Sequence, residues 1–343
     1  MNKDIKHNVI TFEWYAKADK EVSFHIWISD TNLVRIDWGD GEHDKFFIDS
    51  YDMNINDICD KLIYYPYIPL KILSHKYAHS DVYNLTITTS RCDHIALASN
   101  EDLSNHWLSI DTTLAPDLGA LNCTRCRMEE LDVSRNQKLR FLNCWGSQLE
   151  SLDVSKNNEL KHLRCIFSNL NDLFIGDIDI ETIDCSFNNF SSLDISGNKK
   201  LSKLIANNNP LLTQLLLNTN IKEVDVHYVY QPFIDEEEEE EAMGIEPKGK
   251  IKELNLNNCI LLEKLSINNQ RLSSINLSNN KNLIELNCSE NHLTNLDITH
   301  NKKLKTLDCR HNRLEKLDIS KNKKLTSIKM EGNKSASIFQ FCR

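Results

Sequence analysis

Two rhythms of apolar and polar residues divide the chain. Over residues 8–90, VSFHIWIS and YNLTITT alternate apolar with polar side chains, the period-2 pattern of half-buried strands. Between them LVRIDWGDGEHDKFFI reads as strand, Gly-Asp-Gly turn, strand. The stretch 49–71 breaks the alternation, and the spacing of Ile55, Ile58, Leu62 and Ile63 predicts a short helix there. From residue 95 onward the rhythm becomes a 21-residue repeat, marked by Cys123, Cys144 and Cys165 and again by Cys288 and Cys309.

Each period holds two half-units, L-x-C-x-x-N-x-L and L-x-x-L-D-V/I-S-x-N-x-x-L. In L-x-C the first and third residues of an extended strand share one face and the middle residue takes the other. One coil of 21 residues cannot bury that face, so successive coils must stack on it. Leu142, Leu163, Ile183, Leu204, Val224, Leu265, Leu286 and Leu307 then form one internal column, with Cys144, Cys165, Cys185, Cys288 and Cys309 in the next. Ala206, Val226 and Ile267 also occupy the cysteine column, so the position selects a small or medium apolar group, not a thiolate. Asn188, Asn209, Asn291 and Asn312 recur where the first strand turns, and Asn136, Asn157, Asn198, Asn280, Asn301 and Asn322 where the second does. Buried amides there satisfy backbone groups that a tight turn leaves unpaired. Cys126, Ser147 and Ser168 replace asparagine in the early coils, which predicts a less regular start.

The repeat resembles the leucine-rich repeat family, in the short bacterial form that nests two L-x-x-L-x-L units in one 21-residue turn, over about residues 95–335. The resemblance implies a mainly β fold, a solenoid of parallel short strands in about ten coils. The N-terminal region resembles the immunoglobulin-like PKD β-sandwich through Asp37, Trp38, Gly39, Asp40 and Gly41, then His75, Tyr77, Tyr83, Leu85 and Ile87. It departs from that pattern by the insertion at 49–71 and by Asp81, where glycine is usual. The expected organisation is a PKD-like sandwich at 1–94 and a solenoid at 95–343. An acidic loop at 227–250, carrying Asp235 and Glu236 to Glu241, interrupts the solenoid.

Net charge is −10, which argues against a nucleic-acid partner for the chain as a whole. The charge is uneven. Residues 1–250 hold 24 Lys and Arg against 41 Asp and Glu, whereas residues 251–343 hold 16 against 9. No apolar run reaches the ~18 residues of a membrane span. The first twenty residues hold no apolar h-region and no small-residue cleavage site, so no signal peptide is expected. An odd total of 11 cysteines without paired spacings fits reduced thiols and a cytoplasmic setting, although relatives by resemblance are often extracellular or on the cell surface.

Candidate chemistry is weak. Cys123 and Cys126 have C-x-x-C spacing but no second pair to complete a metal site. Asp308 and Cys309 are adjacent on a strand and point to opposite faces, with His311 in the turn beyond. Asp132, Asp153, Asp194, Asp297 and Asp318 form an outer carboxylate column, each two residues before a Ser or Thr that can neutralise it. No catalytic residue, metal or cofactor is expected. The outward residues Asn143, Arg164, Asp184, Ile205, Asp225, Asn287 and Asp308, with Trp145, Ile166, His227 and Arg310 just beyond, define a long strand face. The expected function is a monomeric, non-catalytic scaffold that binds a protein through this face. The alternative is a surface adhesin whose N-terminal sandwich binds carbohydrate or host matrix.

Overall fold

The computed structural model describes residues 8–19, 21–27, 32–48, 71–89, 94–98, 106–229, 249–334 and 337–339. The expected helix at 49–71, apart from Lys71 at the start of a strand, and the run Glu236 to Glu241 lie outside them. The chain divides into two compact units, Met1–Asp184 and Cys185–Arg343. All regular elements among the described residues are β-strands.

In the first unit, β1 (Asn8–Ala16), β3 (Asn32–Asp37), β4 (His43–Ile48), β6 (Asp81–Thr89) and β8 (His106–Leu114) form an antiparallel sheet in the order β4-β3-β6-β1-β8. The alternation in β1 sends Ile10, Phe12, Trp14 and Ala16 to the buried face. Trp107 of β8 joins them, its ring edge-on to Trp14 with centroids 4.1 Å apart. The turn after β3 brings its sequence motif together. Gly39 has φ +81°, and a Cβ there would lie 2.6 Å from the Asn84 carbonyl oxygen, so only glycine fits. Trp38 Nε1 donates to Asp44 (2.8 Å), the His75 ring stacks on Trp38 and contacts Asp40 at 2.6 Å, and the Tyr77 hydroxyl donates to the Trp38 carbonyl.

The second sheet of this unit contains β2 (Glu21–Trp27), β5 (Lys71–Lys76), β7 (His94–Ala98), β9 (Ala120–Thr124), β10 (Phe141–Asn143), β12 (His162–Arg164) and β14 (Thr182–Asp184). Its order is β5-β2-β7-β9-β10-β12-β14. The pairing is antiparallel up to β7 and parallel from β7 onward, with His94 opposite Ala120 and Ala98 opposite Thr124. β7 therefore covers the open edge that the first coil would otherwise present. β11 (Ser151–Asp153) and β13 (Asp172–Phe174) pair in the second half-units.

The second unit continues the repeat with β15 (Ser192–Asp194), β16 (Lys203–Ile205), β17 (Gln214–Leu216), β18 (Glu223–Asp225), β19 (Lys264–Ser266), β20 (Glu285–Asn287), β21 (Thr306–Asp308), β22 (Lys316–Asp318), β23 (Ser327–Lys329) and β24 (Ser337–Phe339). Its parallel rungs run β16-β18-β19-β20-β21-β23. β18 and β19 pair directly, Glu223 opposite Lys264, so the acidic insertion leaves the stack unbroken. Gln270 closes the junction, donating through Nε2 to the Val226 carbonyl and accepting from the Ile251 amide.

Within each unit the predicted inner columns are core. Leu121, Leu142 and Leu163 are fully buried in the first, and Leu204, Leu286 and Leu307 in the second. Each such side chain contributes about 1.5–3 kcal/mol of burial. The asparagine ladders carry the turns. Asn157 Nδ2 donates to the Val133 and Asn136 carbonyls of the preceding coil, and Asn322 does the same to Ile298 and Asn301. Asn312 spans Cys288, Cys309 and Arg310 carbonyls and accepts from the Leu293 amide. The early coils are thinner here, as the sequence implies. Cys126 and Ser147 reach only carbonyls of their own coils among the described residues, although Ser168 reaches back to Cys144.

One recurring feature has no sequence signal. In nine coils the residue before the first-ladder position has positive φ: Arg125, Gly146 and Phe167 in the first unit, and Phe187, Asn208, Asn269, Glu290, His311 and Gly332 in the second. A non-glycine residue there costs about 1–2 kcal/mol. The conformation aims the amide at the next coil, as in Glu290 N to Arg310 O and His311 N to Glu331 O, and these bonds offset the strain.

Candidate protein-interaction face

The strand parity that buries Leu204 and Val224 turns their neighbours outward, and in the second unit these neighbours make two parallel columns. The first reads Lys203, Glu223, Lys264, Glu285, Thr306, Ser327, and the second Ile205, Asp225, Ser266, Asn287, Asp308, Lys329, in the register of the paired strands. Between them lies a groove of about 440 Å³. The first column is paired along itself, Lys203 to Glu223 at 3.0 Å and Lys264 to Glu285 at 3.2 Å. The face therefore presents alternating charge with little net field.

The second column is fixed by residues two positions further along each coil. His227 Nδ1 lies 2.6 Å from Asp225, which also accepts from Asn207 Nδ2. Burial would raise the Asp225 pKa, but these hydrogen bonds outweigh it and hold the carboxyl below its usual range. Arg310 makes a forked pair with Asp308, Nη2 to Oδ2 at 2.7 Å and Nε to Oδ1 at 3.0 Å, and holds that carboxyl low against burial in the same way. Asp308 is only 9% exposed, so Arg310 is the more open group of this pair. Asn287 donates to Asn268, while Ile205, opposite Asp225, is half-buried.

In the first unit the corresponding residues divide into two groups. Asn143, 3% exposed, donates to Thr124 Oγ1 and accepts from the Trp145 amide, so it belongs to a buried polar string, not to an open surface. Arg164, Ile166 and Asp184 are half-buried and reachable. Trp145 is half-buried beneath Arg125, whose guanidinium sits 5.2 Å from the ring centroid. Arg125 was not apparent from parity because it reaches the face through the positive-φ turn.

The residues that resemble a reactive cluster do not assemble one. Cys309 is fully buried, and burial pushes its thiol up to about 12, as it does for Cys144. Cys123 and Cys126 are likewise pushed well above the ordinary thiol value by burial. The thiols act as weak donors between coils, Cys123 Sγ to Asn143 O at 3.4 Å and Cys144 Sγ to Arg164 O at 3.6 Å. His311 sits in the exposed positive-φ turn. Each outer-column aspartate accepts the amide two residues on, including Asp132 from Ser134, Asp297 from Thr299 and Asp318 from Ser320. Those bonds hold the carboxyls of Asp132, Asp297 and Asp318 below their usual range, so the column is turn chemistry. Among the described residues no group of three or more His, Cys, Asp or Glu is arranged to hold a metal, and no helix is long and apolar enough to cross a membrane.

No protein-family model and no curated protein matches the chain. Solved structures do. The chain is similar to the functional domain of InlJ from Listeria monocytogenes, described as including a cysteine ladder, with TM-score 0.54 and 22% identity over 75% of this chain and 57% of that one. The fold is a leucine-rich-repeat β-solenoid. It has about nine turns. YopM, a leucine-rich effector protein from Yersinia pestis, is similar at 18% identity and TM-score 0.49 over 65% of this chain and 63% of its own. The leucine-rich-repeat protein LIC12759 of Leptospira interrogans follows at 17% and 0.40, over 66% and 69%. The chain thus spans a little over half of the InlJ domain. At these identities the likeness concerns the fold, and within it the buried cysteine column of this leucine-rich-repeat chain is a packing column.

Proposed function

We propose that this leucine-rich-repeat protein is a non-catalytic scaffold that binds a protein partner through the strand face of its repeat coils. The observation that supports this reading is the second unit's groove. Six successive rungs present self-paired charges and a half-buried Ile205 around an open concavity. A surface of mixed charge and exposed aliphatic character suits protein recognition. In the same reading residues 1–94 form a PKD-like β-sandwich and residues 95–343 the repeat domain. The antiparallel sheet and the aromatic cage around the Trp38–Gly41 turn support the former. That domain braces the coils and is not the binding element.

The test uses the whole chain as bait, with the partner identified by cross-linking and then titrated in purified form. Trp145→Ala and Ile205→Asp are expected to weaken that complex by about 2 kcal/mol each, while Asp297→Lys on the outer column leaves it intact. Weakening by Asp297→Lys alone, or saturable capture of glycans unaffected by either face variant, would contradict the assignment.

A further inference from the structure

The uneven charge of the sequence has a location. In the last three coils of the second unit, the corner that leads into each first strand carries Lys281, then Lys302 and Lys303, then Lys321, Lys323 and Lys324. All six are exposed, and among the described residues none lies within ion-pair distance of a carboxylate, in contrast to Lys203 and Lys264 on the strand face. Coils stack about 5 Å apart, so the six ammonium groups form a short, dense strip. At the same corner of the preceding coil the lysines are replaced by Ile260 and Leu261, which are 56% and 37% exposed. The two features are continuous. Asn282 Nδ2 donates to the Ile260 carbonyl, and Lys303 Nζ donates to Asn282 Oδ1 at 2.8 Å.

We propose that this corner docks peripherally on an anionic lipid surface, with the lysines against lipid phosphates and carboxylates and Ile260 and Leu261 inserted at the headgroup boundary. Unpaired lysines alone would suit any polyanion. The adjoining aliphatic pair favours a bilayer, which has an apolar interior to receive it, over a nucleic acid or acidic polysaccharide, which has none. The acidic residues elsewhere do not forbid the approach, because screening limits their field to about 8 Å at physiological salt.

The experiment is sedimentation of the full chain with vesicles of phosphatidylcholine alone, or of phosphatidylcholine mixed with phosphatidylserine. The protein is expected to sediment with the mixed vesicles only, and high salt is expected to release it. Each lysine neutralised (Lys302→Gln, Lys303→Gln, Lys323→Gln, Lys324→Gln) should weaken partitioning about fivefold. Ile260→Ser with Leu261→Ser should weaken it further, with an unchanged unfolding curve in every variant. The salt dependence of the unsubstituted chain tests the charge component without any variant. Equal sedimentation with both vesicle types, or none with either, overturns the proposal. So does binding of an oligonucleotide at equal strength that the serine substitutions leave unchanged.

Discussion

Replacing Asn301 with alanine is expected to lower the free energy of unfolding by about 1–3 kcal/mol, measured by urea denaturation. The side chain is fully buried, and its Nδ2 donates to the Leu277 carbonyl at 3.1 Å and the Asn280 carbonyl at 2.8 Å, both in the preceding coil. Alanine would strip each carbonyl of its second donor, leaving only the Asn280 amide on Leu277 and the Leu283 amide on Asn280, and each lost bond is worth about 0.5–1.5 kcal/mol. Asn301→Asp should be at least as damaging, because it aims a carboxylate at the same two oxygens. The chain itself supplies a control. Cys259 occupies the equivalent slot two coils earlier and donates only weakly, Sγ to Asn218 O at 3.6 Å. Asn301→Cys should therefore cost less than alanine. Because each coil touches only its neighbours, the loss should also appear as local opening of the flanking coils in hydrogen exchange.

Trp107→Ala is expected to cost about 3–5 kcal/mol, read as a drop in thermal midpoint. The ring is fully buried against Trp14 and lies 5.1 Å from Phe12. Its carbonyl also accepts from the Arg127 amide, which ties the antiparallel sheet to the first repeat coil. Trp107→Phe keeps an aromatic group in the slot and should lose clearly less. A loss as small as that of a surface substitution would show that β8 does not anchor the sheet.

The repeat was legible because every coil writes the same environment into the same residue types. Leucine, cysteine and asparagine recur at fixed spacing, and strand parity then sorts inward from outward residues. What stayed hidden depends on geometry that spacing does not encode. The positive-φ turn is filled by Arg125, Phe167, Glu290 and His311, none of which signals it, since glycine occupies the position only at Gly146 and Gly332. The pairing of β8 with β1 joins residues about a hundred positions apart with no local motif. On the face, parity found Asp225 and Asp308 but not their clamps by His227 and Arg310, which reach back from two residues further along. Asn143 has outward parity and is nevertheless buried, because Thr124 and the Trp145 amide cover its polar atoms.

The central claim is that the periodic cysteines are packing groups of a leucine-rich-repeat solenoid and not reactive thiols. Its most direct test is thiol labelling of a variant with Cys59, Cys92 and Cys342 changed to serine, which leaves only the eight buried cysteines of the coils. Burial and raised pKa values predict no labelling of the native protein at neutral pH, and reaction of all eight only as denaturant opens the coils. Rapid labelling of Cys309 or Cys123 in the folded state would contradict the account and reopen the case for chemistry at those positions.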